Sequence, residues 1–92
     1  MSEGSQPEWQ VLISHQAEKT LRRLDASLRI RLDKAIQVLA SDPFPANSRK
    51  LVGYADDYRL RIGDWRIIYT VRQAQLIILV VKIAARGQVY KQ

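Results

Sequence analysis

The sequence predicts an α+β domain: an N-terminal strand and a helical hairpin packed on an antiparallel-rich sheet. The order is β-α-α-β-β-β, followed by a C-terminal tail or short helix. Three observations predict it. Tyr58–Ile62 and Trp65–Val71 are rich in β-formers and flank Gly63-Asp64, the pattern of a tight hairpin. Leu76–Ile83, apolar at every position but Lys82, is of strand length, as expected for a strand in mid-sheet with both faces covered. Ala17, Leu21 and Leu24, then Leu28, Leu32, Ala35, Ile36 and Leu39, recur at helical spacing. Helices on one face of such a sheet leave the other face for different work.

Taken in order, Met1 to Pro7 is a polar, acidic tail, and residues 8–92 form one domain. Trp9 to Ile13 alternates, with Trp9, Val11 and Ile13 on one side, and reads as the first strand. Ser14 is placed to cap a helix starting near His15. Asp25 or Ser27 restarts the chain as a second helix, and the short link makes the pair an α-hairpin. Pro43 and Pro45 end it, and residues 42–49 read as a loop. Lys50 to Gly53 leads into the acidic pair Asp56-Asp57, then the hairpin. A polar turn around Gln73 to Gln75 precedes the last strand.

The hairpin carries the functional signal. Gly63 at the first central position suits a type II′ turn. A two-residue loop pairs Ile62 with Trp65, Arg61 with Arg66, and Leu60 with Ile67. Strand parity then puts Arg59, Arg61 and Arg66 on one sheet face. Like charges directly opposite each other destabilise a sheet. A chain that sets Arg61 against Arg66 beside Arg59 holds them for an anionic partner. Phosphate comes first, because the guanidinium fork matches its oxygens.

Charge distribution agrees. The 92-residue chain has a formal net charge of +6. Residues 1–48 hold six Lys/Arg and six Asp/Glu; residues 49–92 hold nine and three. The whole excess lies in the half that carries the hairpin, which favours RNA, DNA or an acidic protein over a neutral metabolite. The absence of Cys excludes disulfides, thiolate metal sites and a Cys nucleophile, and fits a cytoplasmic location. There is no signal-peptide pattern, and the longest apolar run is too short to span a bilayer. His15, the only His, reads as a surface residue at a helix start. No HExxH or CxxC pattern exists, so no metal or other cofactor is expected. Asp56-Asp57 reads as a solvated turn, since adjacent strand residues point apart.

What remains is a basic site of Arg59, Arg61 and Arg66, extended by Lys82, Arg86 and Tyr90. Lys82, Ala84 and Arg86 share parity. Such a cluster orients phosphodiesters and stabilises the extra charge of a pentacoordinate transition state. Tyr58, Trp65 and Tyr69 fall on the apolar parity and belong to the core. Tyr90, in a polar tail beside Arg86, is placed to stack on a base or to contact phosphate.

The chain resembles the RelE/ParE superfamily of bacterial toxin–antitoxin systems, the RelE branch in particular, over roughly residues 8–91. The resemblance is carried by Trp9–Ser14, Ala17-Glu18-Lys19 with Leu21 and Leu24, Lys50-Leu51-Val52-Gly53, Asp57-Tyr58-Arg59-Leu60-Arg61, Trp65-Arg66-Ile67-Ile68-Tyr69, and Arg86 to Tyr90. It implies a microbial-RNase-like sheet and a ribosome-dependent endoribonuclease that cleaves mRNA in the A site without metal. It also implies a RelB-like antitoxin that wraps the toxin in a hetero-oligomer. Roles carried across are phosphate binding for Arg59, 2′-OH activation near Arg61, transition-state stabilisation by Arg66, leaving-group protonation by Arg86 and base stacking by Tyr90. The chain departs from some relatives in having Arg rather than Lys at 59 and 61, and Ala85 where many have His. Arginine stays protonated, so Arg61 is a poor general base. The alternatives are a ParE-like toxin that inhibits DNA gyrase by binding, and a non-catalytic basic RNA-binding module.

Overall fold

The computed structural model describes residues 8–53 and 55–85. Among these residues five strands and two α-helices follow in the order β1 (Gln10–Ile13), α1 (His15–Arg23), α2 (Ala26–Val38), β2 (Ser48–Lys50), β3 (Asp57–Ile62), β4 (Trp65–Arg72) and β5 (Ile77–Ala85), with a 3-10 turn at Gln73–Gln75 before the last. One sheet takes the spatial order β1-β5-β4-β3-β2. The pair β1–β5 is parallel, and the other three are antiparallel. The expected α+β fold holds, with one addition. The segment 42–49, read as a loop, ends in the short edge strand β2, which pairs with β3. The N-terminal tail and the C-terminal tail or short helix lie outside the described residues.

Both helices place their apolar residues on the same sheet face. Ala17, Leu21, Leu32, Ile36 and Leu39 are buried against Leu60, Ile67, Tyr69, Val71, Ile78, Val80 and Ile83. Tyr58 and Trp65 pack at the margin of this core, as their parity requires. No helix among the described residues is long and apolar enough to cross a membrane.

Ser14 makes the first junction. Its hydroxyl oxygen accepts from the Ala17 amide at 3.1 Å, capping α1, and its O–H donates to the Val81 carbonyl at 3.1 Å. Its own amide donates to the Val80 carbonyl at 2.8 Å. The start of α1 is thereby tied to the middle of β5. The second helix begins after Asp25, whose side chain makes no capping bond.

Val81 is where β5 changes phase. Tyr69 faces Val80, but the next residue of β4, Ile68, faces Lys82. Val81 is left over as a bulge, and residues beyond it switch faces. Ile78 and Val80 lie under the helices before the bulge, and Ile83 does so after it. Val81 and Ala84 instead pack with Ile68 and Leu51 in a small cluster on the opposite face. The last strand is thus interior, but its second face is only half covered along Ile77 and Leu79.

The loop before β2 is pinned by aromatics. Tyr69 is fully buried, and its hydroxyl donates to the Pro43 carbonyl at 2.7 Å. Tyr58 stacks on Tyr69 with ring centroids 5.7 Å apart, and Phe44 tilts onto Tyr58 at 5.0 Å. Burial pushes the Tyr69 hydroxyl above its ordinary pKa; the Ser48 hydroxyl opposes the shift, and Tyr58 and Asp42 add to it.

Two outcomes follow from these contacts. Ser14→Ala removes the cap and the bulge bond together and should cost about 1–2 kcal/mol in urea denaturation. Because Tyr69 ionises later in the folded than in the unfolded chain, stability should fall as pH rises above about 10. Denaturation curves between about pH 9 and 11 should show Tyr69→Phe to have a shallower fall than the parent chain.

Candidate nucleic-acid interface

The hairpin forms with the register its sequence requires: Ile62 faces Trp65, Arg61 faces Arg66, and Leu60 faces Ile67. Gly63 adopts φ +58°, while Asp64 is not among the positive-φ residues, which is the pattern of a type II′ turn. A β-carbon at Gly63 would sit 3.3 Å from a guanidinium nitrogen of Arg31, which reaches the tip from α2. The positive φ calls for glycine here, while the flexible end of Arg31 has room to give.

Residues facing each other across strands share a sheet face, so the registers map the open face directly. One row runs across four strands as Arg49, Arg59, Ile68 and Lys82. The adjoining row holds Arg61, Arg66 and Ala84. Arg59, Arg61, Arg66 and Lys82 are therefore brought together, as expected. Lys82 joins them because of the bulge: without the extra residue, its parity with Ile78 and Val80 would turn it toward the helices. Arg86 and Tyr90 lie outside the described residues.

Local contacts fix this geometry. One guanidinium nitrogen of Arg66 donates to the Gly63 carbonyl at 3.0 Å and to the Trp65 carbonyl at 3.1 Å. The arginine is folded back on its own turn, and its fork is oriented before any ligand arrives. Asn47 extends the β2 pairing by one position. Its carbonyl accepts from the Arg61 amide at 3.1 Å, and its side-chain amide donates to the Arg61 carbonyl at 2.8 Å. Arg61 is exposed, while Arg59, Arg66 and Lys82 are half-buried. Their stems cover the sheet, as long cationic side chains commonly do.

Arg49 is the residue that sequence reasoning missed. It faces Arg59 directly, which makes a second opposed pair of arginines on one face. The available signal was the opening of the basic half at Arg49-Lys50, but only the β2–β3 register assigns its face. The expected surface position of His15 holds, whereas the solvated turn expected at Asp56-Asp57 holds only for Asp56. His15 is exposed at the first position of α1. Asp57 opens β3 and accepts from the Thr70 hydroxyl at 2.6 Å, and Asp56 is exposed. Among the described residues no three of His, Cys, Asp and Glu converge as a metal-ligand group.

Residues 11–90 match the family described as the ParE toxin of type II toxin–antitoxin systems, parDE. The chain belongs to the RelE/ParE toxin superfamily. Among its relatives is a Methanocaldococcus jannaschii protein named RelE1, 33% identical over 76 residues that span 79% of this chain and 84% of the relative. The toxin's fold is also that of RelE in the archaeal RelE–RelB complex of Pyrococcus horikoshii. That match has a TM-score of 0.78 and 31% identity, and covers 88% of this chain and 98% of the other. The intact E. coli RelBE toxin–antitoxin complex gives a TM-score of 0.73 at 23% identity, over 86% of this chain and 96% of that one, a likeness of fold.

The opposed arginines carry a measurable cost. Placing an acidic residue across from Arg66 turns a repulsive pair into an attractive one. Arg61→Glu should therefore raise folding stability by about 0.5–1 kcal/mol in urea denaturation at low salt. A loss of stability would mean that the face is not strained by its charge.

Proposed function

We propose that the toxin is a ribosome-dependent endoribonuclease that cleaves mRNA in the A site, acting in the cytoplasm and neutralised by a RelB-like antitoxin. The observation that carries this reading is the cationic face: Arg59, Arg61, Arg66 and Lys82 on one side of a rigid sheet, with Arg66 held by its own turn. Relatives solved with RelB support the antitoxin as partner, in a hetero-oligomer.

The chemistry asked of these residues is modest and electrostatic. The 2′-oxygen of one nucleotide bonds to the adjacent phosphorus while the bond to the 5′-oxygen of the next breaks, leaving a cyclic phosphate and a 5′-hydroxyl. Arg59 binds the phosphate. The guanidinium of Arg61 stays protonated, so it steers the 2′-hydroxyl and stabilises its developing charge while the proton passes to water. Arg66 faces the charge that accumulates on the pentacoordinate phosphorus. The resemblance implies Arg86 at the leaving oxygen, where it would pass on a proton and regain the one that water takes from the 2′-hydroxyl, and Tyr90 as the stacking platform for a base. With no efficient general base, the reaction depends on the ribosome to align the 2′-oxygen with the scissile bond.

A second reading has its own support. The matching family is described by ParE, so binding and inhibition of DNA gyrase is the rival activity. The same scaffold serves both, and an arginine face suits RNA chemistry better than a binding role alone.

Purified protein added to a translating extract should produce mRNA 5′ ends at A-site codons. These should vanish without ribosomes and fall at least about 100-fold with Arg66→Ala. Intact mRNA together with inhibited supercoiling by purified gyrase would assign the chain to the gyrase-directed branch. Uncut RNA bound with steep salt dependence, and no effect on growth, would leave a binding module.

A further inference from the structure

The open face is wider than the cluster so far assigned a role. Its cationic row begins one strand further out, at Arg49 on the edge strand β2, and runs through Arg59 and Ile68 to Lys82 on β5. Neighbouring strands lie about 4.8 Å apart, so the row spans about 14 Å at right angles to the strands. That is long enough for consecutive phosphates of an extended chain. Arg49 is exposed at the rim, where it costs little to desolvate and is open to an incoming ligand.

Two features separate Arg49 from an ordinary surface charge. It faces Arg59 directly, the arrangement that an edge strand has least reason to adopt for stability. Its neighbour Lys50 has the opposite parity and faces Tyr58 on the helix side of the sheet. Of two adjacent basic residues, only Arg49 extends the arginine face. The β2 register that places it is held by Asn47, whose backbone and side chain both bond to Arg61.

We infer that Arg49 is a substrate-binding residue, a phosphate contact for the single-stranded RNA that crosses the sheet from β2 to β5 along the row Arg49, Arg59, Lys82. This rests on the ribonuclease reading of the same face and adds the direction of the strand and its outer limit. Arg49 lies one strand beyond Arg59, so it contacts a phosphate flanking the scissile one. It governs affinity for the RNA and not the rate of cleavage once bound.

The test is binding of an uncleavable single-stranded oligonucleotide, 2′-O-methylated throughout, to the full chain at several salt concentrations. Arg49→Ala, Arg49→Lys, Lys50→Ala and Arg59→Ala are compared with the parent. Arg49→Ala should weaken binding about three- to tenfold at low salt and reduce the log–log salt slope by about 0.7, the share of one single-strand phosphate contact. Arg49→Lys should keep the slope, and Lys50→Ala should change neither. Since Arg49→Ala relieves the repulsion with Arg59, its Tm should stay level or rise by about 1–4 °C. A lowered Tm with lowered affinity would assign Arg49 to the fold and overturn the inference. Unchanged affinity and slope for Arg49→Ala, with Arg59→Ala weakened, would overturn it while leaving the arginine site intact. A parent chain that binds no oligonucleotide would overturn the inference, because the row then holds no single strand by itself, and would leave the ribosome-dependent reading to the A-site cleavage assay.

Discussion

The hydroxyl of Ser14 holds the two sides of this molecule in phase. It caps α1 through the Ala17 amide and grips the carbonyl of Val81, the residue that β5 carries in excess of β4. On the helix side, this seats α1 so that Ala17 and Leu21 meet the sheet. On the open side, it marks the point where β5 changes parity and turns Lys82 toward the arginines. One short side chain thus links the core to the cationic face. A bulge that cost only stability would have little to recommend it; this one re-aims a functional side chain, a common use of the device.

The two faces divide the labour between stability and function. The helix side is an apolar core whose members are almost all inaccessible to water. The open side opposes Arg61 to Arg66 and Arg49 to Arg59, which a sheet selected for stability alone would avoid. Strain of this kind persists only where the surrounding structure over-determines it. Here the determinants are the glycine turn, the folded-back Arg66 and the Asn47 bonds to Arg61. They fix the arginine positions in advance, so less ordering remains to be done when an anion binds.

Much of this was legible from the residues. The II′ turn, the hairpin register and the shared face of Arg59, Arg61 and Arg66 all follow from Gly63-Asp64 and strand parity. The Ser14 cap and the buried faces of both helices follow from local spacing. The edge strand β2 was not legible, because Ser48-Arg49-Lys50 has no apolar alternation and exists only by pairing with β3. The bulge was hidden for the opposite reason. Ile77 to Val81 is apolar at every position, and an unbroken apolar run carries no phase. Leu76 illustrates the same limit: it reads as strand but closes the preceding turn at φ +54°. The sequence placed Lys82 on the basic face from its parity with Ala84; the physical reason it ends there is the bulge.

The topology also sets a schedule. Among the described residues the last strand, β5, lies between the first, β1, and the hairpin strand β4. Until β5 is in place, β1 has no neighbour in the sheet and α1 has no floor to pack on. Pairing β1 with β5 is a contact of high sequence separation, slow to form and late in folding. The hairpin register aligns Arg59, Arg61 and Arg66 locally, whereas Lys82 joins them only when β5 pairs with β4. For a toxin, the contact that closes the core is then also the one that completes the cationic face, so the full row of cations belongs to the folded chain alone.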